Sequence, residues 1–147
     1  MKISTKGRYG ARASLELALR FGSGPTMVRE IAEKQDISER YLEQILNTLR
    51  TSELVKSTRG AKGGYELARA PETITVAEIV RALEGPFDIV PCAYECNNGK
   101  RDECVTCTVW AEVKDAIEGV LTNITLADLV KRREEYINKI GNIEYNI

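Results

Sequence analysis

The chain has 147 residues, 43% hydrophobic and 29% charged, enough for one core-forming domain with an appended helical arm. No apolar run reaches the roughly 18 residues of a membrane span, and the Met1-Lys2-Ile3 start leads into charge, so a cytoplasmic protein with no membrane partner is expected. Histidine is absent, which excludes Ser-His-Asp and Cys-His catalysis and any imidazole metal ligand.

The net charge of -1 hides an asymmetry. Residues 1–69 hold 13 Lys and Arg against 8 Asp and Glu, whereas residues 70–147 hold 8 against 14. Lys2, Lys6, Arg8 and Arg12 open the chain with no acidic residue among the first twelve, a density suited to phosphate contacts and equally to a solvated face.

In chain order, Ser4 to about Phe21 has the apolar spacing of a first helix, stopped by Gly22-Ser23-Gly24-Pro25. Thr26 is expected to cap a short second helix through about Ala32, with a break at Gln35-Asp36-Ile37. Ser38 then caps a third helix whose Leu42, Ile45, Leu46 and Leu49 form a complete buried stripe. Two short helices around a tight turn emerge, followed at once by strands at Leu54–Thr58 and Tyr65–Ala68. The Arg59-to-Gly64 link between them is glycine-rich and basic.

Pro71–Ile74 reads as a connector, and Thr75 with Glu78 as a capping box for a helix through Leu83, stopped by Gly85-Pro86. Residues 87–107 show no helical stripe and are expected to form a loop. A further helix carries Val109, Trp110, Val113, Ile117, Val120 and Leu121 and ends at Asn123. Thr125 with Asp128 opens the last helix, an amphipathic arm running from Leu126 to Ile140. The expected fold class is mostly α with a small β wing: a winged helix-turn-helix over residues 1–84, a cysteine-rich loop over 85–108, and a helical dimerisation arm over 109–147.

On a helical wheel, Arg40, Gln44, Asn47 and Thr51 oppose the Leu42 stripe, flanked by Glu43 and Thr48. These residue types pair with base edges: Gln and Asn with adenine, Arg with guanine, Glu with the cytosine amine. The same face would serve an ordinary surface helix; the hairpin decides between the two. A wing tipped with Arg59 and Lys62 supplies a backbone or minor-groove contact beside a major-groove reader, so double-stranded DNA is the expected partner. An enzyme is not expected, because no nucleophile–base pair is present and Gly60–Gly64 lies between strands rather than in a phosphate loop before a helix.

Cys92, Cys96, Cys104 and Cys107 fall in one sixteen-residue window as C-x3-C-x7-C-x2-C, and the chain has no other cysteine. A Gly- and Asn-rich stretch buries too little apolar surface to order itself, whereas four thiolates on one metal centre supply the missing cross-links. Structural zinc, an iron–sulfur cluster and disulfides all remain open on spacing alone, with Cys104–Cys107 a candidate redox pair.

Lys6-Gly-Arg-Tyr9, Ser38-Glu-Arg-Tyr-Leu-Glu-Gln44, Arg59-Gly-Ala-Lys-Gly-Gly-Tyr65 and Asn123-Ile-Thr-Leu126 together resemble the IscR-like winged-helix regulators, over nearly the whole chain. The resemblance implies a homodimer, held by a long C-terminal helix, that binds a palindromic operator and represses or activates nearby genes. It further implies DNA contacts from Tyr9, Ser38, Tyr41, Glu43, Gln44 and Arg59, with Glu43 discriminating between operator classes.

Cluster-bearing members of that family use three cysteines and a fourth, usually non-cysteine ligand to hold a cluster of the 2Fe-2S or 4Fe-4S type. Cys92 and Cys104 match the first and third positions, Cys96 lies earlier than the middle one, and Cys107 stands where the best-known members have histidine. The resemblance implies operator binding tuned by an iron–sulfur cluster on this loop, and the spacing makes all four cysteines its candidate ligands. Other members carry no cluster and respond to cysteine metabolism through a protein partner, so the alternative is a clusterless or zinc-bound repressor that uses the cysteines structurally or as thiol sensors.

Overall fold

The computed structural model describes residues 3–90 and 105–144, which form six α-helices and one β-hairpin. The first helix, α1 (Thr5–Leu19), starts where the Ser4 hydroxyl accepts the N–H groups of Lys6 and Gly7. Its Ala13, Leu17 and Ala18 are buried, and it packs on α4 (Val76–Glu84), α3 (Glu39–Thr51) and α6 (Leu126–Glu144). This is the expected mostly α fold with a small wing.

The second helix, α2 (Val28–Gln35), departs from expectation at its start. Met27, not Thr26, is its N-cap, and no side chain caps it. Thr26 is buried and paired with Tyr65 instead: its N–H donates to the Tyr65 carbonyl at 2.8 Å and its carbonyl accepts the Tyr65 N–H at 2.9 Å. The backbone pairing displaces the cap, and Gly64 makes the approach possible, since a Cβ there would lie 2.2 Å from the Thr26 carbonyl oxygen. At the other end Asp36 takes the left-handed conformation at φ 52°, which closes α2 and turns the chain into α3.

Strands β1 (Val55–Thr58) and β2 (Gly64–Leu67) pair antiparallel in the register Val55 with Leu67 and Thr58 with Gly64, close to the expected spans. A 3₁₀ turn at Pro71–Thr73 leads to Thr75, whose capping box with Glu78 is complete, and Gly85 ends α4 at φ 86°. The expected loop through residue 107 is too long. Helix α5, described over Val105–Thr122, already includes Cys107, and Thr108 Oγ1 donates to the Val105 carbonyl at 2.6 Å. Val105, Thr106, Cys107 and Thr108 carry no apolar stripe, so a reading by periodicity does not extend the helix back to them.

The core joins Leu17, Ile31, Leu42, Ile45, Leu46, Leu49, Ile74 and Ile79, and Leu126 closes it from far along the chain. Leu126 N–H donates to the Ile74 carbonyl at 2.9 Å, and Val76 N–H to the Ile124 carbonyl at 2.8 Å, so the start of α6 is stitched to the start of α4. Helix α5 has no buried residue among its eighteen; Val105, Val109, Trp110, Val113 and Val120 are exposed, as are Tyr136, Ile137 and Ile140 on α6. No helix among the described residues is long and apolar enough to cross a membrane.

Candidate nucleic-acid interface and cysteine segment

The third helix is built to show one face. Ser38 Oγ accepts the Tyr41 N–H at 3.2 Å, fixing where α3 begins. Leu42, Ile45, Leu46 and Leu49 are then fully buried, which turns Arg40, Glu43, Gln44, Asn47 and Thr51 to the outside, all exposed. The exposed set agrees with the helical wheel. Thr48 and Thr51 donate their hydroxyls to the Gln44 and Asn47 carbonyls at 3.0 Å, so they add little hydrogen-bonding capacity to that face.

Tyr9 and Tyr41 are half-buried neighbours, with ring centroids 6.1 Å apart in an edge-to-face arrangement that joins α1 to α3. The Arg12 guanidinium lies 5.4 Å from the Tyr9 ring centroid and is aimed by Gln35, whose side-chain and backbone oxygens accept from it at 2.7 and 3.0 Å. Gln35 in turn donates to Glu16, a carboxylate only 4% exposed that also pairs with Lys34. These bonds lock α1, α2 and α3 together behind the exposed face. Sequence reading singled out Arg12 among the opening cations but not the role of Gln35 in aiming it, because Gln35 lies on no apolar stripe and in no base-reading position.

At the wing, Arg59 and Lys62 are exposed at the tip, where Gly63 N–H donates to the Gly60 carbonyl at 3.0 Å. Gly63 has no room for a side chain: a Cβ would lie 2.2 Å from the Thr58 carbonyl oxygen. Arg40, Arg59 and Lys62 form no ion pair with a carboxylate among the described residues. Arg29 on α2 is the contrast: Glu33 accepts from its Nε at 2.8 Å, and that hydrogen bond and charge hold the guanidinium further above its already high ordinary pKa. Among the described residues, Arg40 and the wing-tip cations thus lack a carboxylate partner, while Arg29 and Lys34 of α2 are each paired internally.

The hairpin is fastened to α3 by two side-chain bonds that sequence reading did not foresee, one of them to the singled-out Asn47. Tyr65 Oη donates to Asn47 Oδ1 at 3.1 Å, and an Arg50 guanidinium nitrogen donates to Ser57 Oγ at 3.3 Å.

Of the four cysteines, Cys92, Cys96 and Cys104 lie outside the described residues; Cys107 is half-buried in the first described turn of α5. The described segment leading towards the cysteines is anchored on three sides. Glu84 accepts from the backbone N–H of Ser4 and of Gly7 at 3.2 and 3.0 Å. The Phe87 ring lies under the Arg81 guanidinium, which pairs with Glu118 of α5, and Asp88 accepts from Lys114 of α5 at 3.1 Å. Four soft thiol donors within sixteen residues suit a zinc or iron–sulfur centre by donor chemistry, and the helical placement of Cys107 gives one donor a fixed backbone.

Two short helices around a left-handed turn, the second with a polar outer face, and a hairpin fastened beside it define a winged helix-turn-helix transcriptional regulator. Comparison with known proteins agrees. The profile of the Rrf2 family, described as iron-dependent transcriptional regulators, matches residues 3–132, and the chain belongs to that family. It is 46% identical over 129 residues to the transcriptional regulator CymR of Bacillus subtilis, covering 88% of this chain and 89% of that one. It is 39% identical over 136 residues to the regulator IscR of Escherichia coli, covering 91% and 83%. Among solved structures, that of CymR, called the global cysteine regulator of B. subtilis, superposes with a TM-score of 0.78 at 44% identity, over 90% of this chain and 98% of that one. IscR of T. potens superposes with a TM-score of 0.77 at 48% identity, over 92% and 90%. The relatives are regulators, in keeping with a protein that is not an enzyme.

Proposed function

We propose that the chain is an operator-binding regulator that acts as a homodimer, presenting two α3 helices to successive major grooves of a palindromic site. The observation carrying this reading is the exposed row Arg40, Glu43, Gln44 and Asn47 on a helix whose opposite face is fully buried. Gln44 and Asn47 are the adenine readers, Arg40 a guanine or phosphate contact, and Glu43 the acceptor for cytosine amines. Tyr9 and Tyr41, at the α1–α3 junction, and Ser38, at the head of α3, serve as backbone contacts, and Arg59 and Lys62 extend the footprint to the flanking groove. Residues 109–147 serve as the dimerisation arm, supported by the unburied apolar face of α5.

Selection from a randomised duplex library, followed by binding at graded salt, tests the reading. A two-fold symmetric consensus bound with a steep inverse dependence on salt is the expected result. Solitary protomers that enrich no sequence at low ionic strength would overturn it.

Cys92, Cys96, Cys104 and Cys107 form the metal-ligand set in this reading, and an iron–sulfur cluster is the centre we favour, supported by the iron-dependent description of the family. When bound, such a centre supplies covalent cross-links and a net charge that changes with its oxidation state or loss. The chain's own residues pass on the order of that segment: Glu84 joins its start to the head of α1, and Asp88 joins it to α5 through Lys114. The likeness to CymR favours a second reading, in which the thiols serve a clusterless or zinc-bound repressor responding to cysteine supply. Anaerobic purification separates the two: a coloured protein with stoichiometric iron and sulfide supports the first, and a colourless one the second.

A further inference from the structure

Ser57 and Tyr65 are cross-strand partners in the hairpin, and their side chains reach Arg50 and Asn47, which stand three residues apart on α3. Directly opposed strand residues project to the same face, as do helical residues at i and i+3, so a pair on the wing meets a pair on the helix. The two bonds differ in what they hold. Arg50 is on the solvent side of the helix end, whereas Asn47 belongs to the row proposed to read bases.

Tyr65 is also the better-anchored partner. Both its backbone groups are bonded to Thr26, which is 3% exposed, and its ring packs on the core. Its hydroxyl is a fixed point, at the end of a side chain with few rotamers and a backbone pinned on one edge. Asn47, by contrast, is an exposed residue whose amide would otherwise rotate and flip among several orientations. By donating to Oδ1, the hydroxyl fixes which end of the amide is oxygen and leaves both amide N–H groups and one oxygen lone pair available. Those are the groups that a bidentate contact to adenine needs, one donor to N7 and one acceptor for the N6 amine.

We infer that Tyr65 is a positioning residue for base reading: from the wing, it presets the Asn47 amide to recognise adenine, without touching DNA itself. The inference rests on the operator-binding reading above. A preset amide avoids the cost of ordering on binding and rejects the flipped orientation, so removing the hydroxyl relaxes discrimination at the base pair that Asn47 faces.

The test uses the full-length protein and a randomised duplex library, with base preference read at every position for wild type, Tyr65→Phe, Asn47→Ala, the double variant and Ser57→Ala. Tyr65→Phe keeps the ring and the backbone pairing, and its thermal unfolding is recorded beside the selection. The expected result is a flattened preference at one symmetry-related pair of positions, with affinity for the wild-type consensus falling about three- to tenfold, the weight of one hydrogen bond. The same substitution should then have no further effect in the Asn47→Ala background. Three results would overturn the inference: unchanged preference in Tyr65→Phe; a Tyr65→Phe effect that persists without Asn47, which would place the hydroxyl on DNA; or the same flattening from Ser57→Ala, which would make wing docking in general responsible. Wild-type protein that enriches no sequence defeats the operator reading instead, and is distinguishable from all three.

Discussion

The Glu84 carboxylate accepts the Gly7 N–H at 3.0 Å across 77 residues of sequence, so the last residue of α4 caps the first turn of α1. It shares that role with Ser4, whose hydroxyl also donates to it. Glu84→Ala is expected to destabilise the protein by about 1 kcal/mol, the usual worth of an N-terminal cap. Gly7 supplies a sign test, because a Cβ there would lie 2.5 Å from Glu84 Oε1. In the wild-type background Gly7→Ala should lower the melting temperature by expelling the carboxylate. In the Glu84→Ala background the remaining close neighbour is Ile3 Cγ2 at 3.1 Å, the end of an exposed side chain that can give way, so the same change should raise it, as alanine is intrinsically about 1 kcal/mol more helical than glycine. Thermal unfolding followed by circular dichroism measures both.

Gly64→Ala is expected to cost about 1 to 3 kcal/mol, the range for an overpacked site, since the new methyl meets the Thr26 backbone at 2.2 Å and the backbone is at φ 151°. Denaturant unfolding gives the magnitude. Hydrogen exchange gives the location: the Tyr65 and Thr26 amides should lose protection first, and unchanged protection there would contradict the pairing.

Asp128 accepts the Thr125 N–H at 2.9 Å, and that bond, with the Thr125 hydroxyl and nearby Arg132 and Lys131, holds its carboxyl below the ordinary aspartate value of 3.8. A carboxyl whose pKa is lower folded than unfolded binds its proton more readily in the unfolded chain. Its stabilising contribution is therefore complete above the ordinary value and disappears as pH falls through the lowered one. Wild type should exceed Asp128→Asn in stability at neutral pH, and the gap should close in acid. Urea midpoints for both proteins between neutrality and strong acid check the sign; a gap that widens in acid would count against the cap.

Gln44→Ala and Arg59→Ala should each weaken binding to the selected consensus by about 1 to 3 kcal/mol. They should do so differently. Gln44→Ala relaxes preference at particular base pairs, whereas loss of the Arg59 charge also makes the salt dependence shallower by about one unit. Filter binding across a salt series, with consensus and scrambled duplexes, separates the two.

Most of the fold is legible in the sequence because its signals are local. The Leu42, Ile45, Leu46 and Leu49 stripe, the Ser38 cap and the Thr75–Glu78 box each act within a few residues, and all three are present as expected. What sequence reading missed depends on partners far along the chain. Thr26 has the chemistry of a cap, but Tyr65 claims its backbone, and only the absence of a Cβ at Gly64 hints that another segment comes close. The first described residues of α5 went unread for a different reason, since Val105 to Thr108 show no apolar stripe and the helix is held further along, by Lys114 on Asp88 and Glu118 on Arg81. The outward row on α3 was legible; Tyr65 fastening Asn47 was not, because no periodicity joins residues on a helix and a strand eighteen apart.

Leu126, fully enclosed by residues that precede it by dozens of positions, also imposes a timetable on synthesis. The winged unit has its own helices and hairpin well before that leucine leaves the ribosome, but the gap it fills stays open until then. The nascent chain must therefore carry a nearly finished, incompletely sealed domain through translation of α5, an interval in which chaperone capture and proteolysis compete with closure.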